Sequence, residues 1–207
     1  MLLCTFYGGM TCIAGVLGAK QVALGPLAVE AGIFPFLLLV ATSTAVASVY
    51  GRACAQALVA MGFVPLASAI LLTVITIQLP TDPGMYEPAK AAFPIVLGQG
   101  WRLMLAGVVA YGVSMTLNVH VFLRLRDRLG RSALSGALAS MLSQAVDTVV
   151  FITVAFLGTR PLGALMLGQA LAKVVLSAVL VPGAVALMVM LCRRWDGRAI
   201  VVGRASP

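Results

Sequence analysis

Charge is what this sequence has least of. Only 10% of its 207 residues are Asp, Glu, Lys or Arg, against roughly 25% in an average soluble domain. The acids are six, Glu30, Asp82, Glu87, Asp127, Asp147 and Asp196, and there is one histidine. A soluble globule must cover its surface with polar groups, and a chain that is 61% apolar has too few of them to do so. A soluble fold is excluded, and lipid must solvate the outside. The single histidine argues against a zinc centre. No Ser-His or paired-aspartate arrangement supports an intramembrane enzyme, and no glycine-rich phosphate motif is present. Cys4, Cys12, Cys54 and Cys192 lie in or at the ends of apolar runs with no CxxC spacing, and read as small apolar packers. No metal, cofactor or catalytic residue is expected.

The long apolar runs remain. A helix crosses about 30 Å of hydrocarbon in roughly 20 residues. Six spans fit: 2–19, 33–51, 54–79, 102–123, 132–158 and 161–192. The first is read as a membrane helix rather than a secretory signal, because no Lys or Arg precedes it. Strands are disfavoured, since the runs are continuously apolar and lack the alternation of a barrel. Pro182-Gly183 should kink or end the membrane part of the sixth span. The expected fold is all-α: one domain over residues 1–207, an integral membrane bundle of six transmembrane helices. The proline-rich stretch 80–100 reads as a plain connector or an ordered outer lid, the connector being the simpler reading.

Lys and Arg collect in cytoplasmic loops. With both termini inside, the inner segments hold nine bases: Arg52, Arg124, Arg126, Arg128, Arg131, Arg193, Arg194, Arg198 and Arg204. The outer segments hold four, Lys20, Lys90, Arg102 and Arg160. Both termini are therefore expected in the cytoplasm. The net charge of +8 needs no nucleic acid to explain it, because the bases sit where orientation signals belong.

A polar group inside hydrocarbon is expensive, so the spans' own polar residues are informative. The fifth span places Ser140, Ser143, Gln144 and Asp147 on one helical face, with Thr148 beside them; the sixth carries Gln169, Lys173 and Ser177 at i, i+4 and i+8. Asp147 and Lys173 lie thirteen residues on either side of Arg160, so both should sit about 20 Å below the outer end and pair. Such a pair is either a clamp between two helices or part of a site for a substrate or coupling ion. The fourth span adds Tyr111, Ser114 and Asn118. It echoes the fifth 29 residues on, with Ser114, Asn118 and Phe122 answering Ser143, Asp147 and Phe151. Repeated helices meeting at a midplane polar site are a recurring transporter plan. His120 is read as an interfacial histidine.

These residues carry a resemblance. Pro35, Val49-Tyr50-Gly51-Arg52, Trp101-Arg102, Ala110-Tyr111, Ser114 to Phe122 and Arg124-Leu125-Arg126 all take part. The most specific element is Ser143-Gln144-x-x-Asp147-Thr148 with Phe151, followed by Lys173 and Pro182. The sequence resembles the queuosine precursor transporter family, also called the vitamin uptake transporter family, of bacterial six-span proteins. The resemblance implies a carrier of 7-deazaguanine precursors of a modified tRNA base in the bacterial inner membrane. It also implies a bundle similar to the substrate-binding subunits of energy-coupling-factor transporters. The chain departs from the family pattern where acids are usual: Thr44 and Ser48 replace an Asp and a Glu, and Asn118 replaces an Asp.

A 7-deazaguanine offers N–H donors on one edge beside a carbonyl acceptor. A carboxylate accepts the donors and an amide or ammonium serves the carbonyl. Asp147 suits the first role; Gln144, Asn118 or Lys173 suits the second; Tyr111 or Phe151 supplies a stacking face. Ser114 and Ser143 complete the candidate set. A mostly apolar cavity favours a neutral heterocycle over a charged nucleotide. Two other function classes remain: a substrate-capturing subunit that docks an energising ATPase, or a second copy, through small residues at Gly8, Gly9, Ala14, Gly15, Ala133 or Ala137, and a non-transporting scaffold.

Overall fold

A computed structural model describes residues 2–24, 27–98, 101–158 and 162–204. In chain order these form α1 (Leu2–Gly18), β1 (Gln21–Leu24), β2 (Leu27–Glu30), α2 (Ile33–Gln78), α3 (Glu87–Leu97), α4 (Trp101–Leu129), α5 (Ser132–Phe156) and α6 (Leu162–Arg204). Among the described residues four helices, within α2, α4, α5 and α6, are long and apolar enough to cross a membrane, and α1 is a shorter apolar helix. Large apolar side chains face outward, among them Leu71, Leu72, Leu167 and Val179, whereas Ser114, Asn118, Ser140, Ser143, Gln144 and Thr148 are fully buried. That inversion of the soluble pattern fits a surface facing lipid.

At 46 residues α2 would be about 69 Å long if straight, more than twice the hydrocarbon thickness. It is not straight. Gly51 interrupts it with φ 84° and ψ −179°, a conformation essentially restricted to glycine. Before Gly51, Thr44 meets Asn118 and the Ala47 and Ser48 carbonyls meet Arg126, so α2 runs alongside α4. After it, Gln56 meets His120 and Val59 meets Tyr111, so α2 runs against α4. The chain therefore reverses at Gly51. His120 sits near this turn: Nδ1 lies 2.8 Å from the Thr116 carbonyl and Nε2 receives Arg52 Nη2. A neutral ring donating from Nδ1 satisfies both contacts.

Three expectations are corrected. Strands were disfavoured, yet residues 21–24 and 27–30 form an antiparallel hairpin with Gln21 opposite Glu30 and Val22 opposite Val29. A two-stranded hairpin is marginal alone; this one is held by Val29, which is 1% exposed, and by packing of β2 on α6. The 80–100 stretch is not a plain connector, because α3 occupies Glu87–Leu97. Its Pro88 falls in the first turn, where proline is tolerated, and a Glu87–Lys90 ion pair of 2.5 Å spans that turn. Of the two alternatives for Pro182, a kink or an end, the end is not found, because Pro182 lies inside α6. Arg160, about which the α5–α6 hairpin was expected to turn, lies outside the described residues.

Of the small residues expected to dock a partner, Ala137 is buried and Gly8 packs against Pro65. Gly9 and Gly15 are exposed. Ala133 borders an apolar groove with Val185, Ala186, Val189, Met190 and Arg193.

Candidate functional site

The bundle holds an open cavity of about 410 Å³, within the usual range for small-molecule sites of about 300–1,000 Å³. It is lined from α1, the hairpin, the beginning of α2, its later turns Leu66–Thr73, the end of α3 and the first turns of α4. Its floor is reached by Gln144, Asp147 and Phe151 of α5 and by Lys173 of α6. It thus lies at the end of the bundle that carries the hairpin and α3, away from the Arg124–Arg131 turn.

Asp147 and Lys173 are the charged centre. Lys173 Nζ donates to Asp147 Oδ2 across 3.2 Å, and the two residues are 6% and 7% exposed. On the other carboxylate oxygen, Ser114 Oγ stands 3.1 Å from Asp147 Oδ1 but only 2.6 Å from the Ala110 carbonyl. Its single proton serves one acceptor at a time. A carboxylate has about four lone-pair sites, so Asp147 retains acceptor capacity towards the cavity.

Gln144 lies one turn before Asp147 on the same face. It is fully buried, and neither its Oε1 nor its Nε2 has a hydrogen-bond partner among the described residues. Leaving such a group unpaired costs about 1–3 kcal/mol, a cost that a cavity ligand would relieve. The aromatic lining comes from Phe36, Tyr111 and Phe151. The Tyr111 hydroxyl is 3.0 Å from both the Tyr7 hydroxyl and the Val59 carbonyl, and its ring meets Phe63 edge-on at 4.9 Å. Tyr111 therefore offers the cavity its ring rather than its proton. The approach needs a glycine at 62, where a Cβ would collide with the Tyr111 hydroxyl and the Tyr7 ring.

Of the residues expected from sequence, Asp147, Gln144, Lys173, Tyr111 and Phe151 line this cavity, and Ser114 touches Asp147 from behind. Asn118 and Ser143 are not on its wall. Asn118 Nδ2 donates to Thr44 Oγ1 at 3.1 Å and lies 3.4 Å from Ser43 Oγ, while Ser143 Oγ donates to the Ser140 carbonyl at 3.0 Å.

Glu30 was not anticipated. It stands at the end of β2, lines the cavity and lies 3.5 Å from Gln169 Nε2. Burial pushes its carboxyl above the usual carboxylate range; Lys173 and the Gln169 hydrogen bond pull it back, and Asp147 pushes it further up. One signal was available: Glu30 is the only acid in the first 81 residues. Thr11 and Phe36 were missed as well, being ordinary residues of apolar helices.

An apolar exterior around a mostly apolar cavity, with an ion pair and an amide unsatisfied among the described residues on its wall, defines a polytopic membrane protein built to take a small molecule. Residues 30–187 match the family described as "putative vitamin uptake transporter", and the chain belongs to that family. The family is one of transporters, not of enzymes. No curated protein and no solved structure matches the chain.

Proposed function

We propose that this protein is an inner-membrane carrier that takes up a 7-deazaguanine precursor of queuosine, or a closely related flat heterocycle, for tRNA modification. The observation that carries this reading is Gln144: a buried amide with both polar atoms unpartnered among the described residues, on the cavity wall one turn from Asp147. A guanine-like edge pairs donors with an adjacent acceptor, and a carboxylate beside an amide is complementary to it. Asp147 accepts from the ring N–H and exocyclic amine, Gln144 donates to the carbonyl, and Phe151 or Tyr111 covers a ring face. Lys173 holds the Asp147 carboxylate in place and compensates its charge.

Splitting α2 at Gly51 and counting α1 yields six crossings in a single bundle, with both termini in the cytoplasm by the distribution of Lys and Arg. The cavity then opens to the outside, as an uptake site requires. Calorimetry on the purified protein with 7-deazaguanine, guanine, adenine and unrelated neutral heterocycles tests the reading. Micromolar binding of the deazaguanine, well ahead of adenine, is the expected result. A protein that binds none of the panel is not this carrier.

A further inference from the structure

Two carboxylates and one ammonium face the cavity among the described residues: Glu30, Asp147 and Lys173. Lys173 is committed to Asp147 at 3.2 Å. Glu30 has no comparable partner among the described residues, since its hydrogen bond from Gln169 Nε2 is 3.5 Å long, at the outer limit of a useful interaction. A carboxylate kept merely as a clamp between hairpin and helix would be better bonded than this. Its position is nevertheless set firmly. Val29 is buried next to it, β2 packs on α6, and Ala31 N donates to the Lys20 carbonyl at 2.7 Å to close the base of the hairpin. Gln169, which reaches Glu30, is one turn before Lys173 on α6, and its own Oε1 has no partner among the described residues. The hairpin thus holds a half-buried carboxylate at the cavity wall with most of its acceptor capacity unspent.

We infer that Glu30 is a specificity-determining residue of the transport site, whose carboxylate selects substrates bearing a protonated amine on a ring substituent. The inference rests on the reading under Proposed function and adds to it the charge of the substituent. The ring itself stays neutral; the second carboxylate on the cavity wall is placed for a cation on its substituent, where a charge-assisted hydrogen bond in a partly dry site is strong.

The experiment titrates purified wild-type protein with two 7-deazaguanines that differ only in the 7-substituent, one a primary aminomethyl group and the other a nitrile. Wild type should favour the amine by about tenfold or more. In Glu30→Gln, which keeps the side-chain length and an oxygen for Gln169, the ratio should fall to near one through weaker binding of the amine. Glu30→Met, uncharged and of like length, provides the same comparison should the first variant melt early. Equal affinities in wild type, a preference for the nitrile, or an undiminished ratio in the uncharged variants each overturns the inference while leaving the carrier reading intact. Failure of wild type to bind either compound overturns the carrier reading, and this inference with it.

Discussion

Asn118 donates from Nδ2 to Thr44 Oγ1 across 3.1 Å, and both residues are fully buried between α2 and α4. The resemblance read from the sequence implies acids at both positions, and the two lie in contact. Two carboxylates facing each other in a dry contact repel; an amide and a hydroxyl bond. Restoring one acid alone should be harmful. Thr44→Asp places a buried carboxylate against a single amide donor, and should lower stability by at least about 1–3 kcal/mol. Thermal melting in detergent checks it, with Thr44→Ser, which keeps the hydroxyl, as the near-neutral comparison.

Gln144 should behave in the opposite way. Its amide has no hydrogen-bond partner among the described residues, so Gln144→Met, similar in volume and apolar, should leave the melting temperature unchanged or raise it while weakening ligand binding about tenfold. A residue retained for packing would lose stability and leave affinity untouched.

Glu30 predicts a pH dependence. Its folded pKa lies above the ordinary value of 4.5, chiefly through burial. The folded protein therefore holds that proton more tightly than the unfolded chain, and the ionised form is a cost that appears as pH rises through the folded pKa. Glu30→Gln removes the cost. The variant should melt above wild type at about pH 7, and the two should converge as pH falls to about 4. Parallel melting curves across that range would be the contrary result.

The Asp147–Lys173 contact was legible because membrane depth is a count of residues: equal distances from a hairpin tip put two charges at one level, and hydrocarbon leaves them little choice but each other. Glu30 was not legible by that logic, since it stands in a connector, where residue counting assigns no depth and a charge carries no penalty. The hairpin that positions it falls between the first two spans, in a stretch read only as a connector, although Gly25-Pro26 is a turn signal. The α3 helix was hidden by its prolines, one of which sits where a helix accepts it. Asn118 was placed in the candidate set by its face on the fourth span, by the repeat and by the resemblance; none of these says which neighbouring helix a residue meets, and its partners are on α2.

The turn at Gly51 is a backbone requirement. At φ 84° and ψ −179° a Cβ strains the chain even though none would meet a neighbour within 4 Å. Gly51→Ala should cost about 1–3 kcal/mol, whereas Gly9→Ala, in an exposed helical position with equally open space, should be neutral or slightly stabilising. Paired thermal melts separate strain from crowding.

The ion pair itself admits two roles, and a pair of substitutions separates them. Asp147→Asn keeps the volume and one acceptor but loses the charge that holds two ligand donors. Each charge-assisted hydrogen bond is worth about 1.5–3 kcal/mol, so affinity should fall about tenfold or more. Stability should fall too, because Lys173, only 6% exposed, loses its hydrogen-bonded counter-charge and keeps only the more distant Glu30 carboxylate, in a region where an ammonium is costly. Adding Lys173→Met removes that stranded charge, and the melting temperature of the double variant should return towards wild type. The roles diverge in the calorimetry. If the pair only clamps α5 to α6, affinity returns along with stability in the double variant. If Asp147 holds the substrate, stability returns while affinity stays lost, which is the expected result; recovered affinity would remove Asp147 from the site.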